Sequence, residues 1–205
     1  MYNCIIFDVD GTLIDTEVAV FSSLKRLAEE ELNRNFDLEE LSFALGIPGE
    51  VALSKLGIKN VNQSNLKWNE YMKDYFHHIK VYSDIEENLI KLDEAGILTG
   101  IVTSKTKHEL INDFRPFGLE KYLKIVVCAD DTEKHKPNPE PILKFIEVSG
   151  INPSKAIYIG DTIYDMECAK AAGVDFALAL WGAKSTKDID CKYKLENLNE
   201  IWEIV

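Results

Sequence analysis

The chain has 205 residues, is 46% hydrophobic and carries a formal charge of −12. That is enough apolar material to bury a core, either as one large domain or as a core with a smaller companion. The charge is unsuited to phosphodiester backbones and acidic membrane surfaces, whose attraction rests on clustered Lys and Arg, so neither a nucleic acid nor a membrane is expected as a partner. Apolar runs are strand-sized, and the N-terminus has no basic region followed by a long apolar stretch, so the expected location is cytoplasmic. Cys4, Cys128, Cys168 and Cys191 form no CxxC pair and read as free thiols.

The first element is the run "CIIF" (4–7), a strand that stops at Asp8. Residues 16–80 then read as helix after helix: "TEVAVFSSLKRLAEEELNR", "DLEELSFALG", "PGEVALSKLG" and "QSNLKWNEYMKDYFHHI". In the first of these, Val18, Phe21, Leu24 and Leu27 or Ala28 recur at helical period and define an apolar face. Asp37 and Glu40 form a possible capping box.

From residue 83 onward helix and strand alternate. "SDIEENLIKLDEAG" (83–96) opens on Ser83 and Glu86, a capping-box pair, and ends at Gly96. Strands follow in "GILTGIVTS", "LKIVVCADD", "KAIYIGDT" and "VDFALALWG", separated by helices in "TKHELINDFRPFG", "PEPILKFIEVSG" and "TIYDMECAKAAG". Continuous apolar strands between helices predict a parallel sheet covered on both faces, hence an α/β doubly wound fold. The expected organisation is an α/β core of residues 1–15 and 81–205, with residues 16–80 as a small all-helical domain.

Ligands of such sheets bind outside the carboxyl ends of the strands. Standing at those ends are Asp8 and Asp10, Thr103 and Ser104, Asp130 and Asp131, and Asp161, with Lys136 a few residues beyond the third strand. Asp8 and Asp10, two apart on extended chain, point the same way. Several carboxylates gathered without a cation would be costly, and an all-oxygen set suits Mg²⁺, which keeps waters and often binds substrate phosphate as well. Any one of these aspartates alone could be a helix N-cap; their joint placement favours a metal. A metal, a lysine and a hydroxyl converging on one carboxylate point to phosphoryl transfer, with the carboxylate as nucleophile and its neighbour as acid and base.

In order along the chain, "DVDGT" (8–12), "IVTS" (101–104), "HKPNPEP" (135–141) and "GDTIYD" (160–165) resemble the four motifs of the haloacid dehalogenase superfamily. The resemblance implies a Rossmann-like core with a helical cap, here residues 16–80. It implies that Asp8 is the nucleophile, Asp10 the general acid and base, and Lys136 the partner of Asp8 and of the transferring phosphoryl group. Thr103 would hold that group, with Ser104 and Gly11 also on the phosphate side; many relatives carry Asn where Ser104 stands. Asp8, Asp10 through its backbone carbonyl, Asp161 and Asp165 would surround Mg²⁺.

Within the resembled family dehalogenases lack an acid at the position of Asp10, so the resemblance implies phosphate esters rather than carbon–halogen bonds. The expected activity is thus that of a Mg²⁺-dependent phosphatase for a small phosphorylated metabolite, similar to phosphoglycolate phosphatase or the pyrophosphatase-like members. A β-phosphoglucomutase-like phosphomutase and a receiver-like phosphoacceptor are the alternatives, and a monomer or homodimer is expected. The loop at Gly46, Pro48 and Gly49 is a candidate for choosing the leaving group, with Lys55 a further one. Adjacent His77 and His78 read as a solvated helix end, Trp181 as a packing residue, and Glu17 as an early helical acid.

Overall fold

The protein is described by a computed structural model covering residues 1–205. In chain order the elements are β1 (Cys4–Phe7), β2 (Ile14–Asp15), α1 (Glu17–Leu32), α2 (Leu38–Leu41), α3 (Gly49–Lys55), α4 (Val61–Asp74) and β3 (Lys80–Val81). Then come α5 (Ile85–Glu94), β4 (Leu98–Val102), α6 (Lys107–Asp113), β5 (Ile125–Val127), α7 (Glu140–Ser149), β6 (Ala156–Gly160), α8 (Ile163–Ala172), β7 (Asp175–Ala179) and β8 (Tyr193–Leu195).

Six strands form one parallel sheet in the order β5-β4-β1-β6-β7-β8. Every residue of β1 is buried, and alternate side chains serve opposite faces: Ile5 and Phe7 join one apolar cluster, Cys4 and Ile6 the other. After β1 the chain builds outward through β4 and β5, then crosses to the far side of β1 to add β6, β7 and β8. The strand order therefore reverses at β1 and β6, and their carboxyl ends flank the crevice where doubly wound sheets bind ligands.

Between β1 and α5 the chain makes the four helices α1 to α4, entered and left through β2 and β3, which pair antiparallel with Ile14 opposite Val81. The apolar cluster on the Ile5 and Phe7 face continues into this helical segment through Leu24, Leu27, Leu53 and Trp68. Trp68 Nε1 donates to Ser23 Oγ at 2.8 Å, which locks α4 against α1.

The structure departs from sequence expectation in several places. Val18 is 49% exposed and Ala19 takes its place on the buried face of α1, because the helix turns the line of Ala19, Ser23 and Leu27 toward α4. The Ser83–Glu86 capping box does not form. Asp84 adopts a left-handed conformation ahead of α5, and the first turn is instead fixed by Asn88, whose side-chain amide donates to the Asp84 carbonyl at 2.8 Å and to Asn199 Oδ1 at 3.0 Å. Two-residue β2 and β3, and β8 near the C-terminus, have too little apolar pattern to be read from sequence. No helix is long and apolar enough to cross a membrane.

Candidate active site

Asp8 follows β1 directly and its backbone N–H donates to the Ile159 carbonyl of β6 at 2.9 Å, so the carboxylate stands between the two central strands. It is 1% exposed. Lys136, from the loop before α7, is equally buried: Nζ lies 3.0 Å from Asp8 Oδ2, 2.6 Å from Asp165 Oδ1 and 3.1 Å from the Tyr158 hydroxyl. A lysine this enclosed is retained only with partners, and here it has three.

Asp161 follows β6, and its Oδ1 accepts from Thr12 Oγ1 at 3.3 Å. Asp165, in the first turn of α8, closes a capping box with Thr162: the Asp165 N–H donates to Thr162 Oγ1 at 3.3 Å and the Thr162 N–H to Asp165 Oδ2 at 3.0 Å, while Thr162 Oγ1 also donates to that oxygen at 2.6 Å. Ligand oxygens of Asp8, Asp161 and Asp165 all lie within 4.8 Å of one another.

Three buried carboxylates thus share one ammonium. Burial pushes the Asp8 carboxyl up to about 7; Lys136 works against that rise, while Asp165 and Asp10 add to it. Asp161 is pushed well above the usual carboxylate range, first by burial and then by Asp165 and Asp8. For Lys136, burial disfavours the charge, but Asp165 and Asp8 outweigh it and hold the ammonium above its ordinary value. Asp8 Oδ2 is buried and receives no aligned hydrogen bond, even with Lys136 at ion-pair distance. An unsatisfied oxygen beside a net excess of buried negative charge fits a hard divalent cation with oxygen ligands.

Glycine is required at two neighbouring points. Gly11 has φ +76°, and a Cβ there would run into the Asp161 carboxylate; at Gly182 a Cβ would overlap the Gly11 carbonyl. Beside it, Trp181 Nε1 donates to the Thr12 carbonyl at 2.9 Å, so the expected packing residue also ties the loop after β7 to the first motif.

Thr103, 3% exposed, follows β4, and its Oγ1 accepts from the Lys105 N–H at 3.2 Å. Ser104 Oγ donates to the Gly46 carbonyl at 2.9 Å, linking the sheet edge to the loop between α2 and α3. Beneath that link is a cavity of ≈ 60 Å³, floored by Asp8 and Asp10 and roofed by Leu45, Gly46, Ile47 and Trp68. The loop around Gly46 therefore does reach over the site. Lys55 does not line the cavity; its ammonium lies 5.8 Å from the ring centroids of Phe43 and Tyr164.

Asp130 and Asp131 do not join the carboxylate cluster. The chain turns outward after β5, Asp131 pairs with Lys107 at 2.5 Å, and Asp130 accepts the Lys107 N–H at 3.1 Å. His77 and His78 sit in an exposed turn after α4, and Glu17 pairs with Lys184.

Two residues escaped the sequence reading. Tyr158 is fully buried in β6, its hydroxyl 2.8 Å from the Val102 carbonyl and 3.0 Å from Asp165 Oδ1; a phenol in an otherwise aliphatic strand was the available signal, since a buried hydroxyl needs a partner. Lys105 is the other, a lysine placed directly after a strand-end Thr-Ser pair. Its Nζ lies 3.2 Å from Asp10 Oδ1 and 2.7 Å from Asp113 Oδ2.

Comparison with known proteins agrees with this geometry. The family described as haloacid dehalogenase-like hydrolase matches residues 5–179. A protein of Caldanaerobacter subterraneus assigned as a pyrophosphatase, PpaX, is 34% identical over 86% of this chain and 81% of its own length. Pyrophosphatase PpaX of Halalkalibacterium halodurans is 28% identical over 99% of this chain and 96% of its own. Among solved structures, a Lactobacillus plantarum protein assigned as a phosphoglycolate phosphatase superposes with a TM-score of 0.90 at 27% identity, both chains covered in full. A Thermotoga maritima protein assigned as a β-phosphoglucomutase gives 0.77 at 25% identity, again with both chains covered in full.

Proposed function

The chain belongs to the haloacid dehalogenase-like hydrolases, and from that premise we propose that it is a Mg²⁺-dependent phosphatase of small phosphorylated metabolites, working through an aspartyl-phosphate on Asp8. The observation that carries the reading is the buried meeting of Asp8, Lys136, Asp161 and Asp165 at the point where the strand order reverses.

In this reading Asp8 attacks phosphorus, and the bond from phosphorus to the leaving oxygen breaks. Asp10, lining the same cavity, gives its proton to that oxygen; it then takes a proton from the water that cleaves the phosphoaspartate. Inorganic phosphate leaves and both aspartates return to their starting state. Lys136 offsets the charge on Asp8 and on the phosphoryl oxygens, and Asp165 and the Tyr158 hydroxyl keep it there. Thr103 and Ser104 supply hydroxyls on the phosphate side. Asp8, Asp161 and the Asp10 backbone carbonyl would hold Mg²⁺, with Asp165 behind them; when bound, the ion would neutralise phosphoryl charge. Residues 16–80 serve as the cap over the core of residues 1–15 and 81–205.

The cavity between Asp8 and Asp10 and the loop at Gly46 is small, which suits a small leaving group. A β-phosphoglucomutase-like phosphomutase is the second reading, and one solved relative bears that name. Because relatives bear those names, inorganic pyrophosphate and 2-phosphoglycolate belong in the first substrate panel.

The test is phosphate release across that panel with Mg²⁺ or EDTA, run beside Asp8→Asn. Release that needs both Mg²⁺ and Asp8 supports the reading, and equal activity of wild type and variant defeats it. Conversion of glucose 1-phosphate to the 6-phosphate without phosphate release would establish the phosphomutase instead.

A further inference from the structure

Lys105 is 8% exposed and lies in the cavity wall between two acids. Asp113, the last residue of α6 and itself 8% exposed, accepts a hydrogen bond from Nζ at 2.7 Å. Asp10 Oδ1 stands 3.2 Å from the same nitrogen and is its second carboxylate neighbour. That oxygen is buried and has no aligned hydrogen-bond donor, and Lys105 is the cation within ion-pair reach of it.

The lysine is held at both ends. Its backbone N–H donates to Thr103 Oγ1, and its carbonyl accepts from the Ala129 N–H at 2.8 Å. With the main chain pinned and Asp113 gripping the head, the ammonium is a fixed point charge on a normally flexible stem. Asp10, by contrast, sits on a chain that turns at Gly11 and keeps 20% of its side chain exposed. A proton donor that is free to rotate forfeits much of its rate advantage, because transfer needs the donor within hydrogen-bond reach of the leaving oxygen.

We propose that Lys105, anchored by Asp113, is a positioning residue for Asp10, holding its carboxyl in the orientation that delivers a proton to the leaving group. The proposal rests on the assignment of Asp10 as proton donor in a phosphatase. It separates Lys105 from Lys136: one ammonium serves the nucleophile, with Asp8 and Asp165 as its carboxylate neighbours, and the other serves the acid, with Asp10 and Asp113 as its neighbours.

Two small substrates separate this role from a merely structural one. Acetyl phosphate expels acetate, which needs no proton to leave, whereas ethyl phosphate expels an alkoxide, which does. In Lys105→Met, kcat/KM on ethyl phosphate is expected to fall by about 100-fold or more, the scale of general acid catalysis. On acetyl phosphate kcat/KM, which reports the phosphorylation of Asp8 and not the later hydrolysis, is expected to change little. Asp113→Asn should show the same selective loss in weaker form, and Lys105→Arg should recover part of it.

Equal losses on the two substrates, or no loss on ethyl phosphate, would overturn the proposal. If Lys105→Met melts out because Asp113 is stranded in the interior, the double variant Lys105→Met/Asp113→Asn removes both charges and is judged by the same ratio. Wild type that releases phosphate from neither of these two substrates nor from pyrophosphate or 2-phosphoglycolate, or activity indifferent to Asp8→Asn, would instead remove the phosphatase reading itself.

Discussion

Replacing Lys136 by Met removes the one ammonium among Asp8, Asp161 and Asp165 while keeping most of the apolar stem. Two ion pairs, at 3.0 and 2.6 Å, and a 3.1 Å hydrogen bond to Tyr158 disappear together. Hydrogen bonds to charged groups contribute about 1.5–3 kcal/mol each, and breaking a buried pair from one side costs about 3–5 kcal/mol. The upper sum is not reached because Asp8 can answer by taking up a proton. Its carboxyl is already raised to about 7 by burial with Lys136 present, and loss of the cation raises it further. For a carboxyl raised on folding, stability is fullest below the unfolded value and is lost as pH climbs toward the folded one. The expected loss in EDTA is therefore about 3–5 kcal/mol at pH 8 and clearly less at pH 5.5. Urea denaturation at the two pH values reads it directly, provided the slopes stay equal. A loss below about 1 kcal/mol, the scale of a solvent-exposed pair, or one that grows toward acid, would refute the reasoning.

Without Mg²⁺, the wild-type protein should itself lose stability between pH 5.5 and 8, since Asp8 and Asp161 both titrate above their unfolded values; added Mg²⁺ should raise the melting temperature more at pH 8 than at pH 5.5, measured by scanning fluorimetry. Gly11→Ala should impose about 1–2 kcal/mol of left-handed backbone strain and push a methyl into the Asp161 carboxylate. Its signature is a weakened Mg²⁺ requirement curve alongside a folded circular dichroism spectrum, and unchanged Mg²⁺ affinity would count against the placement of Asp161. Ser104→Ala deletes the bond to the Gly46 carbonyl and should raise KM several-fold with little change in melting temperature; steady-state kinetics with both parameters unmoved would show that this link does not hold the roof of the cavity.

The strands that carry the candidate site are legible because parallel strands covered on both faces must be apolar throughout, and each stops at a polar residue. Asp8, Thr103 and Asp161 stand out as candidates that way, and Lys136 only through the prolines and the motif order around it. Lys105 and Tyr158 do not, since the features that distinguish them, enclosure and the identity of their neighbours, arise only when β4, α6 and β6 come together. Asp130 and Asp131 show the converse error: they stand after an apolar run like the others, yet the chain turns outward there and leaves them pairing with Lys107. The Ser83–Glu86 pair matched a local cap, but the network around Asn88 decided the helix start. Local pattern loses where a distant partner offers better hydrogen bonds.

The short ribbon of β2 and β3 has a consequence for inheritance. Because Ile14 and Val81 are already paired neighbours, the helical segment leaves and rejoins the core through a single doorway. Insertions and deletions in that segment begin and end at the same paired residues, but the helices also supply Leu24, Leu27, Leu53 and Trp68 to the apolar cluster that holds Ile5 and Phe7. A lineage that exchanges the helices keeps the doorway and must repack that shared cluster.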